Sequence, residues 1–466
     1  MQPEKTRHIT ISFRLEHLFG WVVIILLCAI PVIVWWRLHP VDAFNGLTEG
    51  GLNIGRLTAL VGTVLYALNL VLATRLRFIE SMFGGLNRVY IAHHVLGGLA
   101  LIFLLFHPLA LAVGLIPDGM KQAALSLLPN GLMPLNALFD VGSDLHAAVL
   151  QQWAITFGII SFWGMVLLLL VTFFIKLPYH IWLLTHKFLG VAFLIAGFHI
   201  LFITSDTSED MFLKYYMLSI VAIGLLAYIY KTLLGNIVIR KYRYTIDSMR
   251  KLAGGVVQID LKSLERPLSF KPGQFVFARL VASDGEPGEW HPFSISSAPS
   301  DDTIQLSIKG LGDYTNKLVY LEPGMRMELE GAYGRFSYTN YATRDQIWIA
   351  GGIGVTPFLS MIKDLPPSGY RVHLFYSVKS ESEMIDWPLM YETMYAKPES
   401  LRVVPYIVDQ QPKFLDVDYI EQISGELQTK DFYLCGPPAM MNALKRQLKA
   451  RGVPGVNIHS EEFAMS

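Results

Sequence analysis

Charged residues and cysteines are scarce in this sequence of 466 residues. Asp, Glu, Lys and Arg make up 16% of the chain, against about 25% in an average soluble protein. This is too little charge to cover a soluble surface of that size. The formal net charge of +0 excludes the basic footprint of a nucleic-acid-binding protein, so we expect no nucleic-acid partner. The only cysteines, Cys28 and Cys435, exclude a disulfide-stapled secreted scaffold.

Hydrophobic residues, in contrast, make up 52% of the chain. Six apolar runs reach the roughly 20 residues that a helix needs to cross a bilayer. They lie near 17–37, 56–75, 88–113, 149–175, 180–204 and 212–235. The first run follows Arg14, as in a signal peptide, but it is long and lacks a small-residue cleavage site. The sequence therefore predicts a six-helix transmembrane bundle in contact with membrane lipid.

Charges in the loops predict the orientation of this bundle. Basic residues lie after the second, fourth and sixth runs: Arg75, Arg77, Arg88, Lys176, Lys187, Lys231, Arg240, Lys241 and Arg243. The opposite loops carry acids: Asp118, Asp140, Asp144, Asp206, Glu209 and Asp210. The positive-inside rule then predicts a cell (inner) membrane protein with both termini in the cytoplasm. Trp35 and Trp36 predict an aromatic belt at the outer interface.

Four histidines in two of the membrane runs are candidate functional residues, because ionisable groups in membrane helices are usually functional. The third run carries His93 and His107, fourteen residues apart, which is about four turns and about 21 Å. The fifth run carries His186 and His199, thirteen residues apart, so they lie at levels that match those of His93 and His107. On their own helix, however, His186 and His199 point in directions that differ by roughly 140°. The fifth helix must therefore deform locally, or one imidazole must approach from the side. The alternative is that each histidine only hydrogen-bonds a neighbouring helix.

Paired imidazoles at two levels suggest haem, because iron with two axial imidazoles has no open position and suits electron transfer. The sequence predicts two haem b groups, the inner held by His93 with His186 and the outer by His107 with His199. His94 is an alternative inner ligand, since it lies thirteen residues before His107. We favour His93 because Gly97 follows it as Gly190 follows His186, and such a glycine leaves room for a flat macrocycle. A zinc site is disfavoured, because its ligands would gather at one point.

The second half of the chain has shorter elements. Short strands are predicted at 241–247, 255–261, 274–281, 291–297, 303–309 and 325–331, with one helix near 314–320, which indicates an antiparallel β-barrel. Strands and helices then alternate at 346–350, 355–365, 371–378, 386–395, 401–406, 416–424, 431–435, 437–451 and 455–460, which indicates an α/β doubly wound nucleotide-binding domain. The predicted multi-domain fold divides at 1–238, 239–343 and 344–466.

Two glycine turns follow strands of the predicted α/β domain. The stretch from Ala350 to Pro357 contains three glycines and opens a helix, where backbone N–H groups can approach a pyrophosphate. The stretch from Leu434 to Pro438 also ends a strand and opens a helix. Both turns are expected to line one crevice.

With these motifs, nearly the whole chain resembles the transmembrane ferric reductase and NADPH oxidase superfamily, and its C-terminal half resembles ferredoxin–NADP reductases. The most specific motif is the run from Glu289 to Ser294 with Ser296 to Pro299 after it. The resemblance implies an FAD site in which Phe293 lies against the isoalloxazine and Ser294 bonds near its N5. The remaining FAD-binding residues that it implies are His291, Pro292, Lys309, Gly312, Tyr314 and Thr315. His291 stands where soluble reductases usually place an arginine for the pyrophosphate.

The resemblance also implies the residues around NADPH or NADH. The nucleotide turn comprises Gly352, Gly354, Thr356 and Pro357, and the nicotinamide platform comprises Cys435, Gly436 and Pro437. Lys379 occupies the position of a residue that binds the 2′-phosphate. The implied catalytic group comprises Ser294, Cys435, Glu461 and Phe463, although the family's terminal aromatic residue usually ends the chain. Arg56 matches an outer arginine of the family. A buried arginine there must be paired, and its expected partner is a haem propionate, or an anion such as superoxide or a ferric chelate.

The function that follows is transmembrane electron transfer by an NAD(P)H-dependent flavohaem oxidoreductase. Electrons would pass from cytoplasmic NAD(P)H through FAD and two haems to an extracytoplasmic acceptor, with O2 giving superoxide. Alternatives are a ferric-chelate reductase, a donor to a periplasmic redox partner, or a bundle that only anchors or transports. Leu111 stands where the animal oxidases have a further histidine.

Overall fold

The computed structural model describes residues 4–39, 43–128, 146–281, 288–310, 315, 318 and 321–462, and it describes only the backbone of 4–17 and 179–180. The chain forms two compact units. One comprises Leu15–Gly84 and Arg88–Val238, and the other is centred on Ile239–Ser466.

Six long helices run through the first half of the chain. They are α1 (Glu4–Leu38), α2 (Gly46–Leu72), α3 (Leu86–Gly114), α4 (His146–Phe174), α5 (Tyr179–Phe202) and α6 (Met211–Tyr228). Each belongs to an apolar segment of 21 to 33 residues, long enough to cross a membrane. Large apolar side chains such as Ile25, Phe173 and Leu226 are exposed, as expected for lipid-facing positions. The predicted six-helix layout is confirmed, and the protein is a multi-pass membrane protein.

Small residues let these helices approach each other closely. A side chain on Gly224 of α6 would collide with Ala67 of α2. Helix α4 is joined to α5 by the hydroxyl of Ser161, which donates to the carbonyl of Ala192 at 2.8 Å. Close contacts of this kind are typical of helices in lipid, where no hydrophobic force drives them together. The regular part of α6 ends at Tyr228 and continues as a π-helical turn, Ile229–Leu233, rather than running to 235 as predicted.

The second unit begins with an antiparallel sheet of six strands. They are β1 (Tyr242–Leu252), β2 (Val256–Ser263), β3 (Phe275–Val281), β4 (His291–Ser294), β5 (Ile304–Lys309) and β6 (Arg326–Tyr333). Their spatial order is β4-β3-β6-β1-β2-β5. A bridge between Ile295 and Leu306 brings the end of β4 to β5, so the sheet curls towards a barrel. Inward-facing side chains such as Ile259, Val276 and Leu329 form its core.

A parallel sheet of five strands follows. Its strands are β7 (Asp345–Gly351), β8 (Arg371–Val378), β9 (Leu401–Ile407), β10 (Asp431–Cys435) and β11 (Ile458–Glu461). The helices are α7 (Thr356–Asp364), α8 (Trp387–Ala396), α9 (Val417–Ser424) and α10 (Pro438–Ala450). The spatial order is β11-β10-β7-β8-β9. Trp348 of β7 packs into one core and Ile349 into another, because alternate side chains point to opposite faces. Both faces are covered, as predicted for a doubly wound domain.

Several element boundaries differ from the prediction, among them the start of α2 at Gly46 and the end of β4 at Ser294, and two in the second unit have a clear local cause. Strand β1 continues to Leu252 instead of ending at 247, because the hairpin turn is formed by Gly254 and Gly255, both at positive φ. Strand β11 is short, since Gly455–Asn457 forms a 3₁₀ turn before it. The helix predicted near 314–320 falls mostly outside the described residues.

Candidate functional site

The four membrane histidines form two facing pairs between α3 and α5. The ring centres of His93 and His186 are 6.2 Å apart, and those of His107 and His199 are 6.4 Å apart. An imidazole nitrogen lies about 1.1 Å from its ring centre and binds a metal at about 2.0 Å, so two rings across one metal atom stand about 6.2 Å apart. Both pairs therefore have the spacing of axial ligands to a single metal atom. Among the described residues, no three His, Cys, Asp or Glu side chains gather as in a zinc site.

Backbone carbonyls orient three of the four imidazoles. The Nδ1–H groups of His93 and His107 donate to the carbonyls of Asn69 and Gly55 in α2, at 3.1 and 2.9 Å. His199 donates in the same way to a carbonyl of α4, at 2.8 Å. Because a carbonyl can only accept, each Nδ1 carries the proton and each Nε2 keeps a lone pair. This is the usual outer contact of a metal-binding histidine, and it fits haem iron.

The inner pair is less constrained. The Nδ1 atom of His186 is buried without a hydrogen-bond partner among the described residues, and its ring stacks on Trp182 with centres 5.3 Å apart. His94, the alternative inner ligand, is exposed and donates to the carbonyl of Tyr90 in its own helix. The geometry therefore favours His93 as the partner of His186.

Helix α5 is regular between His186 and His199, so the predicted local deformation does not occur. The two imidazoles reach their partners from different sides of α5. Gly158 of α4 makes space for one of them, since a Cβ there would lie 2.7 Å from Nδ1 of His199. Gly158 is not among the glycines predicted to leave room for a macrocycle. Of those, Gly190 has the ring of Tyr228 packed on it, so it accommodates an aromatic side chain rather than a macrocycle.

Arg56 lies in α2, next to the glycine whose carbonyl holds His107. Its Nη1 atom is 3.3 Å from Oδ1 of Asp206, and its side chain is 36% exposed, so it is not the buried arginine that the sequence suggested. Asp206 itself is buried, at 4% exposure. The guanidinium charge is thus balanced by a carboxylate of this chain, a partner that the sequence analysis missed.

The same carboxylate also binds the first helix. The indole N–H of Trp35 donates to Oδ2 of Asp206 at 2.8 Å, and His39 Nε2 lies 3.6 Å from Oδ1. Trp35 is fully buried, whereas Trp36 is exposed. The N–H group of Trp35 is thus bound to Asp206, whereas Trp36 stays a candidate for the predicted interfacial belt. No sequence signal connects Trp35 and Asp206, which are 171 positions apart.

Strand β4 presents the residues of the predicted flavin site. Its register with β3 pairs Phe293 with Val276 and Ser294 with Phe275. The hydroxyl of Ser294 is buried and has no hydrogen-bond partner among the described residues. A buried polar atom of this kind usually has a partner in the working molecule. The Ser294 hydroxyl therefore fits a site in which a bound flavin supplies its hydrogen-bond partner.

Of the remaining predicted flavin residues, His291 and Pro292 lie in β4 and Lys309 lies in β5. His291 Nε2 lies 3.5 Å from a carboxylate oxygen of Glu289. Burial lowers the pKa of His291, and the charge of Glu289 opposes that shift. Pro292 lies between His291 and Phe293 in β4, and Lys309 ends β5. Thr315 is half-buried, while Gly312 and Tyr314 lie outside the described residues.

The two glycine turns meet at the carboxyl ends of neighbouring strands. The first is a 3₁₀ turn, Gly352–Val355, after which Thr356 and Pro357 begin α7. A Cβ on Gly354 would overlap the carbonyl of Cys435, so the turns touch at a point where only glycine fits. Gly436 and Pro437 then lead into α10. The structure brings these two turns together as the sequence suggested.

Cys435 and Glu461 are direct neighbours, paired in the register of β10 and β11. Both are buried. Burial raises the pKa of the Cys435 thiol well above its usual value, and the charge of Glu461 adds to the shift. The thiol therefore stays protonated at neutral pH. Phe463 lies outside the described residues, and Lys379 is exposed just after β8.

Three family models match this chain in succession. A ferric reductase like transmembrane component matches residues 58–197, an FAD-binding domain matches 242–333, and an oxidoreductase NAD-binding domain matches 348–446. The protein is therefore a membrane oxidoreductase with FAD-binding and NAD(P)-binding domains.

Among curated proteins, the chain is similar to the toluate 1,2-dioxygenase electron transfer component of Pseudomonas putida, with 28% identity over 48% of this chain and 68% of that protein. It is also similar to the anthranilate 1,2-dioxygenase electron transfer component of Acinetobacter baylyi, with 28% identity over 45% of this chain and 63% of that protein. The chain thus spans about two thirds of the length of these relatives. Among solved structures, the Amycolatopsis cytochrome P450 reductase GcoB matches with a TM-score of 0.42 and 24% identity, over 48% of this chain and 70% of that one.

The order of these domains implies NAD(P)H-driven electron transfer. The chain has the ferric reductase and NADPH oxidase architecture, a transmembrane component followed by a C-terminal half like ferredoxin–NADP reductase.

Proposed function

We propose that this protein carries electrons from cytoplasmic NAD(P)H through FAD and two haem b groups to an acceptor outside the cytoplasm. The observation that carries the proposal is the pair of facing imidazoles at each of two levels, with ring centres 6.2 and 6.4 Å apart. Within α3 the two levels are fourteen residues apart, about 21 Å along the helix. Two haem sites at that separation would span most of a hydrocarbon core about 30 Å thick.

The residues of the chain have separate roles in this proposal. His93 and His186 would hold the inner haem, and His107 and His199 the outer one. When bound, FAD supplies the conversion of a two-electron hydride into single electrons that haem iron can accept. Ser294 would orient the flavin through its free hydroxyl. Cys435 would face the nicotinamide as a neutral thiol, since its raised pKa keeps a charge away from the hydride path.

The loop charges support an inner-membrane protein with cytoplasmic termini. Basic residues such as Arg75 and Lys187 lie near the loops that would face the cytoplasm, and acids such as Asp118 and Asp210 lie in the opposite loops. NAD(P)H is then oxidised in the cytoplasm, and the pair His107–His199 lies on the opposite side.

Oxygen is the acceptor that the outer end favours. Arg56 is paired with Asp206, so its charge is locally balanced and offers little attraction to an anionic chelate. Leu111 packs on Gly55 and makes that position apolar, which suits a small neutral molecule. One electron passed to O2 gives superoxide. Reduction of a ferric chelate is the second candidate, favoured by the match to a ferric reductase like component.

Haem content tests the ligand assignment. Each of His93→Ala, His186→Ala, His107→Ala and His199→Ala should lower the haem-to-protein ratio by about half, because each removes one axial bond. His94→Ala is the matched control, since its exposed ring bonds only its own helix, and it should keep both haems. If a pyridine haemochrome assay gives the same haem-to-protein ratio for the wild type and all five variants, the proposal is wrong.

Paired assays test the acceptor. In air with NADPH, the purified protein should reduce cytochrome c in a reaction that superoxide dismutase inhibits. Under argon, a ferrous-chelate assay measures iron reduction directly. If iron reduction is fast under argon and no superoxide forms in air, the proposed oxidase function is wrong and ferric reductase is the function.

A further inference from the structure

Helix α7 begins at the nucleotide turn, and two of its side chains contact the flavin barrel. The hydroxyl of Ser360 donates to the carbonyl of Ser297 at 2.6 Å. The ammonium group of Lys363 donates to Oε1 of Gln305 at 2.8 Å. Ser360 and Lys363 are three residues apart, so they lie on one face of the helix. That face therefore bonds the barrel while the helix N-terminus points towards the nucleotide turn.

These contacts are enclosed. Ser360, Ser297 and Gln305 are 0%, 1% and 6% exposed. Burial lowers the pKa of Lys363, and the charges of Asp301, Asp386 and Asp260 oppose that shift. A buried donor or acceptor that loses its partner costs more than the bond itself contributes, so these contacts are retained whenever the interface is closed.

One receiving residue, Ser297, belongs to the flavin segment, which we define as Ser294–Ala298, and the other, Gln305, lies in β5. The hydroxyl of Ser297 accepts from the backbone N–H of Gln305 at 3.0 Å. The side-chain amide of Gln305 donates to Asp260 at 2.8 Å, which anchors it in the barrel. Asp301 accepts from the backbone N–H of Ala298 at 2.9 Å and holds the end of the segment. Ser297 thus connects α7 to a fixed strand end three residues after Ser294.

We propose that Ser360 and Lys363 are positioning residues that couple the nucleotide turn to the flavin segment through α7, so that a bound pyridine nucleotide changes the environment of the flavin. The coupling rests on the nucleotide and flavin residues proposed above. Hydride transfer needs reacting atoms about 3–3.5 Å apart, and a displacement of about 1 Å can cost about 100-fold in rate. A nine-residue helix that bonds the barrel from its middle and from near its C-terminal end holds that distance better than a flexible linker.

The test uses the full-length holoprotein in detergent. Ser360→Ala and Lys363→Met remove the two donors. Stopped-flow absorbance gives the limiting rate of flavin reduction and the dissociation constant of NADPH. Titration with NADP⁺, which cannot reduce the flavin, gives a flavin difference spectrum that reports coupling without turnover. Lys397→Met is the matched control, because Lys397 bonds the carbonyls of Ile362 and Lys363 within the nucleotide domain and does not reach the barrel.

We expect the limiting rate to fall about 10- to 100-fold in each variant, with NADPH still bound and the NADP⁺-induced spectrum weakened. Gln305→Leu should slow flavin reduction at least as much as Lys363→Met, because it also removes the bond to Asp260. Adding Lys363→Met to Gln305→Leu should slow flavin reduction no further, because the bond between the two residues is already lost. If Ser360→Ala does not retain FAD, Lys363→Met decides the question.

Variants with a wild-type rate and spectrum would overturn the coupling, and so would variants that lose only thermal stability. If the wild type itself is not reduced by NADPH or NADH, the proposed function and the coupling both fall.

Discussion

Gly158→Ala is a direct test of the outer imidazole pair. The new Cβ would lie 2.7 Å from Nδ1 and 3.0 Å from Cε1 of His199, whereas ordinary contact begins at about 3.4 Å. The ring must therefore move by about 0.7 Å. The atom in closest conflict is the one that donates to Ala154, so the movement breaks that hydrogen bond as well.

The size of the effect follows from these contacts. Alanine normally stabilises a helix by about 1 kcal/mol relative to glycine, so the substitution is harmful only because of the collision. The lost hydrogen bond costs about 0.5–1.5 kcal/mol. Loss of such an outer contact typically weakens metal binding about 10- to 100-fold. We expect the outer haem to bind more weakly by that factor, while the inner haem is unaffected.

The assay is haem content together with the low-spin electron paramagnetic resonance signals of the two irons. Gly164→Ala is the control, since it lies in the same helix with no atom within 4 Å of its Cβ position. Its haem content and spectrum should equal those of the wild type. Two unchanged haem signals in Gly158→Ala would refute the assigned position of His199.

Four further outcomes follow. Gly354→Ala should abolish NADPH binding while FAD stays bound, because its Cβ would overlap a backbone carbonyl; isothermal titration measures this, and normal affinity contradicts it. Lys379→Ala should raise the Michaelis constant for NADPH about tenfold and change that for NADH little, and equal effects would exclude a 2′-phosphate contact. Asp206→Asn should release the charge of Arg56 and lower the Michaelis constant for an anionic ferric chelate by about fivefold; no change would show that Arg56 does not meet the acceptor. The lowered pKa of His291 means that the unfolded chain binds more protons below pH 6.5, so stability should fall as pH falls through that range. Thermal unfolding of His291→Gln should show a flatter profile, and an unchanged slope would contradict this.

The features that could be predicted from the sequence are those that depend on local periodicity. Six hydrophobic runs indicate six membrane helices, and the spacing of His93 and His107 indicates two levels of imidazoles, because helix geometry converts residue number into height. The turn at Gly354 indicates a nucleotide site because it follows a strand and opens a helix, whereas the flavin site around Phe293 is implied by the resemblance of its motif to a known family. Each combines a short pattern with the element that carries it.

Contacts between distant segments were not predictable in this way. In the sequence, Asp206 is one of several acids in an outer loop. In the structure it forms an ion pair with Arg56, which lies 150 residues earlier in the chain. Tryptophan at the end of a membrane helix is typical of an interfacial residue, and only the fold shows that the N–H group of Trp35 is bound to Asp206. The bond from Lys363 to Gln305 joins two domains, so neither domain's own pattern contains it.

The carbonyl groups that orient His93 and His107 belong to the main chain, at Asn69 and Gly55. A side-chain replacement at Asn69 leaves the acceptor in place, whereas a Cβ at Gly55 would lie 2.8 Å from Leu111 and 3.0 Å from the carbonyl oxygen of His107 in α3. Insertions and deletions displace the acceptors themselves. One residue added to α2 between the two positions rotates one carbonyl by about 100° and shifts it by about 1.5 Å relative to the other. The histidine spacing in α3 and the carbonyl spacing in α2 can therefore change only together. The length of α2 between Gly55 and Asn69 is therefore constrained in addition to the small size of its glycines that face α3.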